Sequence, residues 1–227
     1  MTPDIGKAHP AAAESIVIPI GTDRIEADLR VPEHAAGLVL FAHGSGSSRF
    51  SRRNRAVAEF LEPRGFGTLL LDLLTSREES IDVHTAEYRF DIPMLGTRVV
   101  VATDAVRQRR DLERLPLGYF GASTGAAAAL VAAAERPALV RAVVSRGGRP
   151  DLADGALPVV QAPTLLIVGG DDRRVIDMNR DAMRRMTCEV RLDIVPGATH
   201  LFEEPGTLEQ VMELAADWFR RHLTRDR

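Results

Sequence analysis

Cysteine is almost missing from this chain. Cys188 is the only one among 227 residues, so no disulfide can close within the chain. That usage suits a reducing compartment. Lysine is as scarce: Lys7 stands alone and arginine supplies nearly all the positive charge, which reads as genomic composition bias before function. Neither sign of charge dominates, with 29 basic against 32 acidic residues and a formal net charge of −3. Such a balance gives no footing for a nucleic-acid groove or an anionic membrane surface. No stretch approaches the ~20 consecutive apolar residues of a membrane-spanning helix. The opening residues MTPDIGKAHPAAAESIVI lack the apolar core of a signal peptide. The expectation is a soluble cytoplasmic protein with no nucleic-acid and no membrane partner. Repeats, low-complexity linkers and breaks in composition are also missing. One domain over residues 15–227 follows, after a flexible Ala/Pro-bearing lead-in at 1–14.

What is present is an alternation of apolar runs and helical patterns. Ser15–Ile20 and Arg24–Val31 read as a hairpin around Gly21-Thr22-Asp23. Strand-like runs follow at Gly37–Phe41, Gly67–Leu74, Leu117–Phe120, Val140–Val144, Pro163–Val168 and Val190–Val195. Between them lie helical segments at Arg52–Pro63, Thr124–Arg136, Val175–Met186 and Thr207–Leu223. A further helix face is marked by Ile92, Leu95, Val99, Ala102 and Val106 at three-four spacing. Thr207 and Gln210 have the spacing of a capping box. Fully apolar strands alternating with helices predict an α/β fold: a mostly parallel sheet with helices on both faces and the antiparallel hairpin at one edge.

In such sheets reactive groups collect beyond the carboxyl ends of the strands. Four of these ends carry polar motifs: His43-Gly44-Ser45-Gly46-Ser47-Ser48, Gly121-Ala122-Ser123-Thr124-Gly125, Gly169-Gly170-Asp171-Asp172, and Gly197-Ala198-Thr199-His200. Serine, aspartate and histidine thus follow successive strands in the chain order of G-x-S-x-G hydrolases. A serine hydroxyl is a weak nucleophile until a base takes its proton. His200 would be that base and later the acid. Asp171 or Asp172 would orient the imidazole. The N–H groups of Thr124 and of Ser45, in the loop after the Gly37–Phe41 strand, would hold an oxyanion. The plainer alternative makes Ser123 only the N-cap of an alanine-rich helix.

These four motifs together resemble the α/β-hydrolase superfamily, and within it the small dienelactone hydrolase-like branch with little or no lid. The resemblance spans roughly Ile25 to Leu223. It implies a single-domain hydrolase fold, no cofactor and no metal, and an esterase-type reaction on a small-molecule ester. Its G-x-x-D-x-x-V spacing fits Gly169, Asp172 and Val175, and so favours Asp172 over Asp171. It implies that His43 and Gly44 support the oxyanion loop. One departure is plain: dienelactone hydrolases proper carry cysteine at the elbow, whereas this chain has Ser123, with Cys188 far along the chain. Ordinary esters or lactones are therefore expected over dienelactone itself.

Arg146 and Arg149, around Gly147-Gly148 after the Val140–Val144 strand, are candidate substrate-binding residues for an anionic group, unless they pair with acids such as Asp151. The polar segment Thr75–Asp91 is the one place for a partial lid. Three other functions remain open from the sequence: a thioesterase or an acyltransferase with the same three residues, or a non-catalytic binding protein on a hydrolase scaffold.

Overall fold

The computed structural model describes residues 13–224. Most of the 1–14 lead-in therefore lies outside the described residues, and Glu14 already opens the first strand. Strands β1 (Glu14–Ile20) and β2 (Asp23–Arg30) form the expected hairpin, whose tight turn needs the positive φ that Gly21 supplies. Then come β3 (Gly37–Ala42), β4 (Phe66–Leu71), β5 (Leu117–Ala122), β6 (Val140–Arg146), β7 (Thr164–Gly169) and β8 (Val190–Val195). The sheet order is β1-β2-β4-β3-β5-β6-β7-β8. β1 and β2 are antiparallel to their neighbours and β3 to β8 run parallel.

Burial follows from this topology. The strands β3, β4, β5 and β7 are buried at every position, as strands covered on both faces must be, and their sequences are apolar runs without alternation. Strand β2, next to the edge strand β1, alternates instead. Helices α1 (Arg52–Leu61) and α6 (Thr207–Leu223) pack on one face over Phe41, Phe66 and Phe120, with Phe219 of α6 among them. On the other face lie α3 (Ile92–Gln108), α4 (Thr124–Glu135) and α5 (Arg173–Arg185). Helix α4 is buried on all sides, between the sheet, α3 and a 3-10 segment at Pro150–Val159, and its alanines let the neighbours approach closely.

Several local expectations are corrected. The strand expected to reach Leu74 stops at Leu71, because Asp72 turns away to accept from Arg49. The helix expected to reach Pro63 ends at Leu61 in a 3-10 turn closed by Gly65. The polar segment after β4, for which no element was expected, holds α2 (Ser76–Thr85), started by a capping box of Thr75 and Glu78. Thr207 and Gln210 make no capping box. Gly206 is the N-cap there, and the Thr207 hydroxyl donates back to the Glu204 carbonyl at 2.7 Å.

Tyr119 links β5 to α3. Its Oη lies 2.6 Å from Thr103 Oγ1, whose own proton goes to the Val99 carbonyl at 2.8 Å, so the phenol must donate. Burial pushes that phenol well above the usual tyrosine range. Tyr119→Phe is expected to cost about 1 kcal/mol, because only one neutral hydrogen bond is lost and Thr103 stays bonded. The urea midpoint at constant m-value measures it.

Candidate active site

Ser123 stands between β5 and α4 with φ 51° and ψ −121°, a region that non-glycine residues rarely adopt. Such a conformation costs on the order of 1–3 kcal/mol and persists only where its surroundings enforce it. They do so here: the Ser123 N–H donates to the Arg146 carbonyl at 3.2 Å, and its carbonyl accepts from Ala126 N–H at 3.1 Å and Arg149 N–H at 3.0 Å. The side chain makes no capping bond to α4. A pure N-cap serine would spend its hydroxyl on that helix; this one does not. The flanking glycines are steric requirements. A Cβ on Gly121 would stand inside the backbone of Ala126, and one on Gly125 inside the carbonyls of Ala42 and His43.

The loop after β3 lies against this elbow. A Cβ on Gly44 would come within 3.0 Å of Ser123 Cβ. Ser45 and Thr124 line one recess of about 10 Å³, room for a single water-sized group. Thr124 is the first residue of α4, so its N–H has no acceptor within the helix. His43 is buried behind the loop. Its Nδ1 donates to the Gly44 carbonyl at 2.8 Å, and its Nε2 accepts from Leu73 N–H at 3.1 Å. Both ring nitrogens are thus used in the neutral tautomer. Burial holds its pKa below the ordinary histidine value, against the opposing pull of the Gly44 carbonyl and Asp72.

Across the sheet, Asp172 and His200 meet. Asp172 is the residue before α5, yet its carboxylate does not cap that helix. It accepts from His200 Nδ1 at 2.7 Å. Asp171, the alternative, uses its N–H to hold the Ala198 carbonyl. Asp172 is largely shielded at 18% side-chain exposure, while the His200 side chain is 38% exposed. The His200 loop is clamped by Glu204, which accepts from Thr199 N–H and Oγ1. His200 also rests on Gly147, where a Cβ would lie 3.7 Å from Cε1. The loop after β6 therefore touches both candidate groups: Arg149 binds the Ser123 carbonyl and Gly147 underlies His200. The structure pairs His200 directly with Asp172; it brings Ser123 to the same loop without a direct hydrogen bond to His200.

Neither candidate arginine is free for substrate as expected; for Arg149 the alternative, a pairing with Asp151, holds, and Arg146 is corrected. Arg149 is spent on Asp151 through two bonds of 2.9 and 2.7 Å. Arg146 is 6% exposed and points below the sheet end toward Asn54 Oδ1, with Phe202 beside its guanidinium. β-strand alternation decides this, since it sends Ser145 and Arg146 to opposite faces. Sequence reasoning missed Arg89. Its Nε and Nη2 bind the carboxylate and carbonyl of Asp82, a residue 1% exposed, and its Nη1 faces Gly46 at the recess. The T-x-x-E spacing of Thr75 and Glu78 was the available signal that this segment is ordered. Among the described residues, no group of three or more His, Cys, Asp or Glu side chains is placed to hold a metal ion, and no helix is long and apolar enough to cross a membrane.

The sheet order, the elbow and the placement of these groups beyond the carboxyl ends of the strands define an α/β-hydrolase fold. The profile of the dienelactone hydrolase family matches residues 28–224, and the chain belongs to that family. A crystal structure of a dienelactone hydrolase from Anabaena variabilis is 56% identical, covers 94% of this chain and 99% of its own, and superposes with a TM-score of 0.92. Est1E from Butyrivibrio proteoclasticus shares the fold at 16% identity, over 91% of this chain and 98% of its own, with a TM-score of 0.76. A Mycobacterium tuberculosis protein named "Putative phosphoribosyl transferase" is 54% identical over 220 residues, 97% of this chain and 49% of that protein. The chain thus spans about half the length of the curated relatives it matches.

Two predictions follow from this geometry. Gly125→Ala is expected to destabilise by about 3 kcal/mol or more and to remove any activity of the site, because backbone carbonyls cannot move aside. Denaturation and far-UV circular dichroism test it. His43 and His222 both have folded pKa values lowered chiefly by burial, so the unfolded chain binds more protons than the fold in mild acid. Stability is expected to be flat above about pH 7 and to fall as pH drops below about 6.5, where the unfolded histidines charge. His43→Gln should flatten part of that slope in urea titrations run between pH 5 and 7.5.

Proposed function

We propose that the chain is a serine hydrolase of small carboxylic esters or lactones, working through an acyl-enzyme. The observation that carries this reading is the 2.7 Å Asp172–His200 bond, set beside a strained Ser123 whose hydroxyl is not used as a cap. Ser123 Oγ attacks the carbonyl carbon while His200 Nε2 takes its proton. Asp172 keeps the imidazole proton on Nδ1 and stabilises the imidazolium. The developing oxyanion sits in the one-water recess, held by the N–H groups of Thr124 and Ser45. His200 then returns the proton to the leaving alcohol, and water repeats the sequence to release the acid. His43 and Gly44 hold the Ser45 loop in place, through the His43 bonds to Gly44 and Leu73.

The same groups serve a thioester as acyl donor, and substrate comparison separates the two. The relatives' name speaks of phosphoribosyl transfer. The paired Asp172 and His200 and the uncapped Ser123 support acyl transfer instead, and the chain aligns with only half of those relatives.

Wild-type protein is expected to hydrolyse p-nitrophenyl acetate and to be labelled at Ser123 by a fluorophosphonate. Ser123→Ala should fall to background and escape labelling. Asp172→Asn should keep its fold and lose about 10⁴-fold in kcat, through the wrong imidazole tautomer. Equal rates for wild type and Ser123→Ala would overturn the assignment and leave Ser123 as part of a binding surface.

A further inference from the structure

At the opposite end of the sheet from Ser123, the segments entering β5 and β6 and the end of α6 enclose a pocket of about 450 Å³. Strand β5 has six residues, which sets this pocket roughly 20 Å from the elbow at about 3.3 Å per residue. Arg107, Arg114, Arg141 and His222 line it, Arg114 at its exposed rim, and Glu113 is the one acid in its lining. These cations are poorly matched among the described residues. Arg141 has no ion pair, and Arg114 reaches Glu113 only at 3.8 Å. Arg107 donates Nη1 to the Glu113 carbonyl and not to its carboxylate, and its buried Nε has no partner. His222 Nε2 is buried and unbonded, with Glu189 at 3.9 Å beyond it. Burial holds Arg107 below the ordinary guanidinium range, against an opposing pull from Tyr119 and with a smaller push from the like charge of Arg141.

We propose that this pocket is a second binding site, remote from the hydrolase centre, for a phosphate group. Charge matching selects phosphate over carboxylate. Three guanidiniums against one carboxylate leave two positive charges, and a phosphate monoester carries about −1.5 to −2. Arginine forks suit its tetrahedral oxygens. The volume exceeds that of a bare phosphate, and Leu115, Leu139 and Leu223 give it an apolar wall. Free phosphate and the phosphate of a small ester share this chemistry.

The chain carries its own reporter. Trp218 is its single tryptophan, and its ring centroid lies 4.4 Å from that of His222. Titration with inorganic phosphate, with glycerol 3-phosphate and with glycerol as the uncharged control is expected to change Trp218 fluorescence saturably for the first two only. Tighter binding of the ester assigns the site to an organic phosphate; equal binding assigns it to the free ion. Arg141→Ala and Arg114→Ala lie on exposed positions and should each weaken binding about tenfold, with p-nitrophenyl acetate hydrolysis unchanged. Ser123→Ala should bind as wild type does. Three results would each overturn the site: no saturable response at millimolar phosphate, a response that survives in the double arginine variant, or binding seen only after residues 225–227 are deleted, which would make the pocket a seat for that segment.

Discussion

One backbone contact organises the candidate site. The amino end of α4 crosses the carboxyl end of β3 so closely that Gly125 lies against the carbonyls of Ala42 and His43. No other residue type fits there. That contact brings the first turn of α4, with its unspent N–H groups, to the loop that carries Gly44 and Ser45. It also forces the chain at Ser123 into positive φ, since the strand must become a helix within one residue. Strain and proximity are two results of the same close approach. The surrounding bonds to Arg146, Ala126 and Arg149 then hold the strained residue in place.

Charge pairing fixes the loops around this contact. Arg49 joins the loop after β3 to Asp72, Glu26 and Asp28. Arg89 joins the end of the α2 segment to the buried Asp82, which also accepts from the N–H groups of Tyr88 and Arg89. Glu204 closes the turn beyond His200. Each of these acids is met by fixed donors, so the loops bordering the recess are held by charge-assisted bonds as well as by apolar packing. Arg146 differs. It is buried with Asn54 as its one hydrogen-bond partner and without a carboxylate, and desolvation lowers its pKa to about 10. Strand alternation sets its direction.

Much of this was legible in the residues. Four strands were buried throughout because both faces of a parallel sheet are covered, and their order with the helices set the fold class. The four motifs were legible because each follows a strand, where parallel sheets expose backbone ends. The capping box assigned to Thr207 was not there, because Gly206 had already taken the cap position in a left-handed turn. The helix in the polar segment was missed because its stability comes from Asp82, Arg89 and the Thr75–Glu78 cap rather than from an apolar stripe. The destination of Arg146 could not be read either, and the pairing of Arg149 with Asp151 stood only as an alternative. A local acid claimed one, and the other turned on which face of β6 it fell.

The sequence by itself determined the class of fold, the family and the set of groups beyond the strands, because hydrophobic period and glycine placement are local properties. Only the tertiary structure decided which aspartate holds His200, that Ser123 leaves its hydroxyl uncapped, and that the cations of Arg107, Arg114 and Arg141 share one pocket. Those outcomes depend on distances between residues far apart in the chain, and a distance of that kind exists only once the sheet has closed its register.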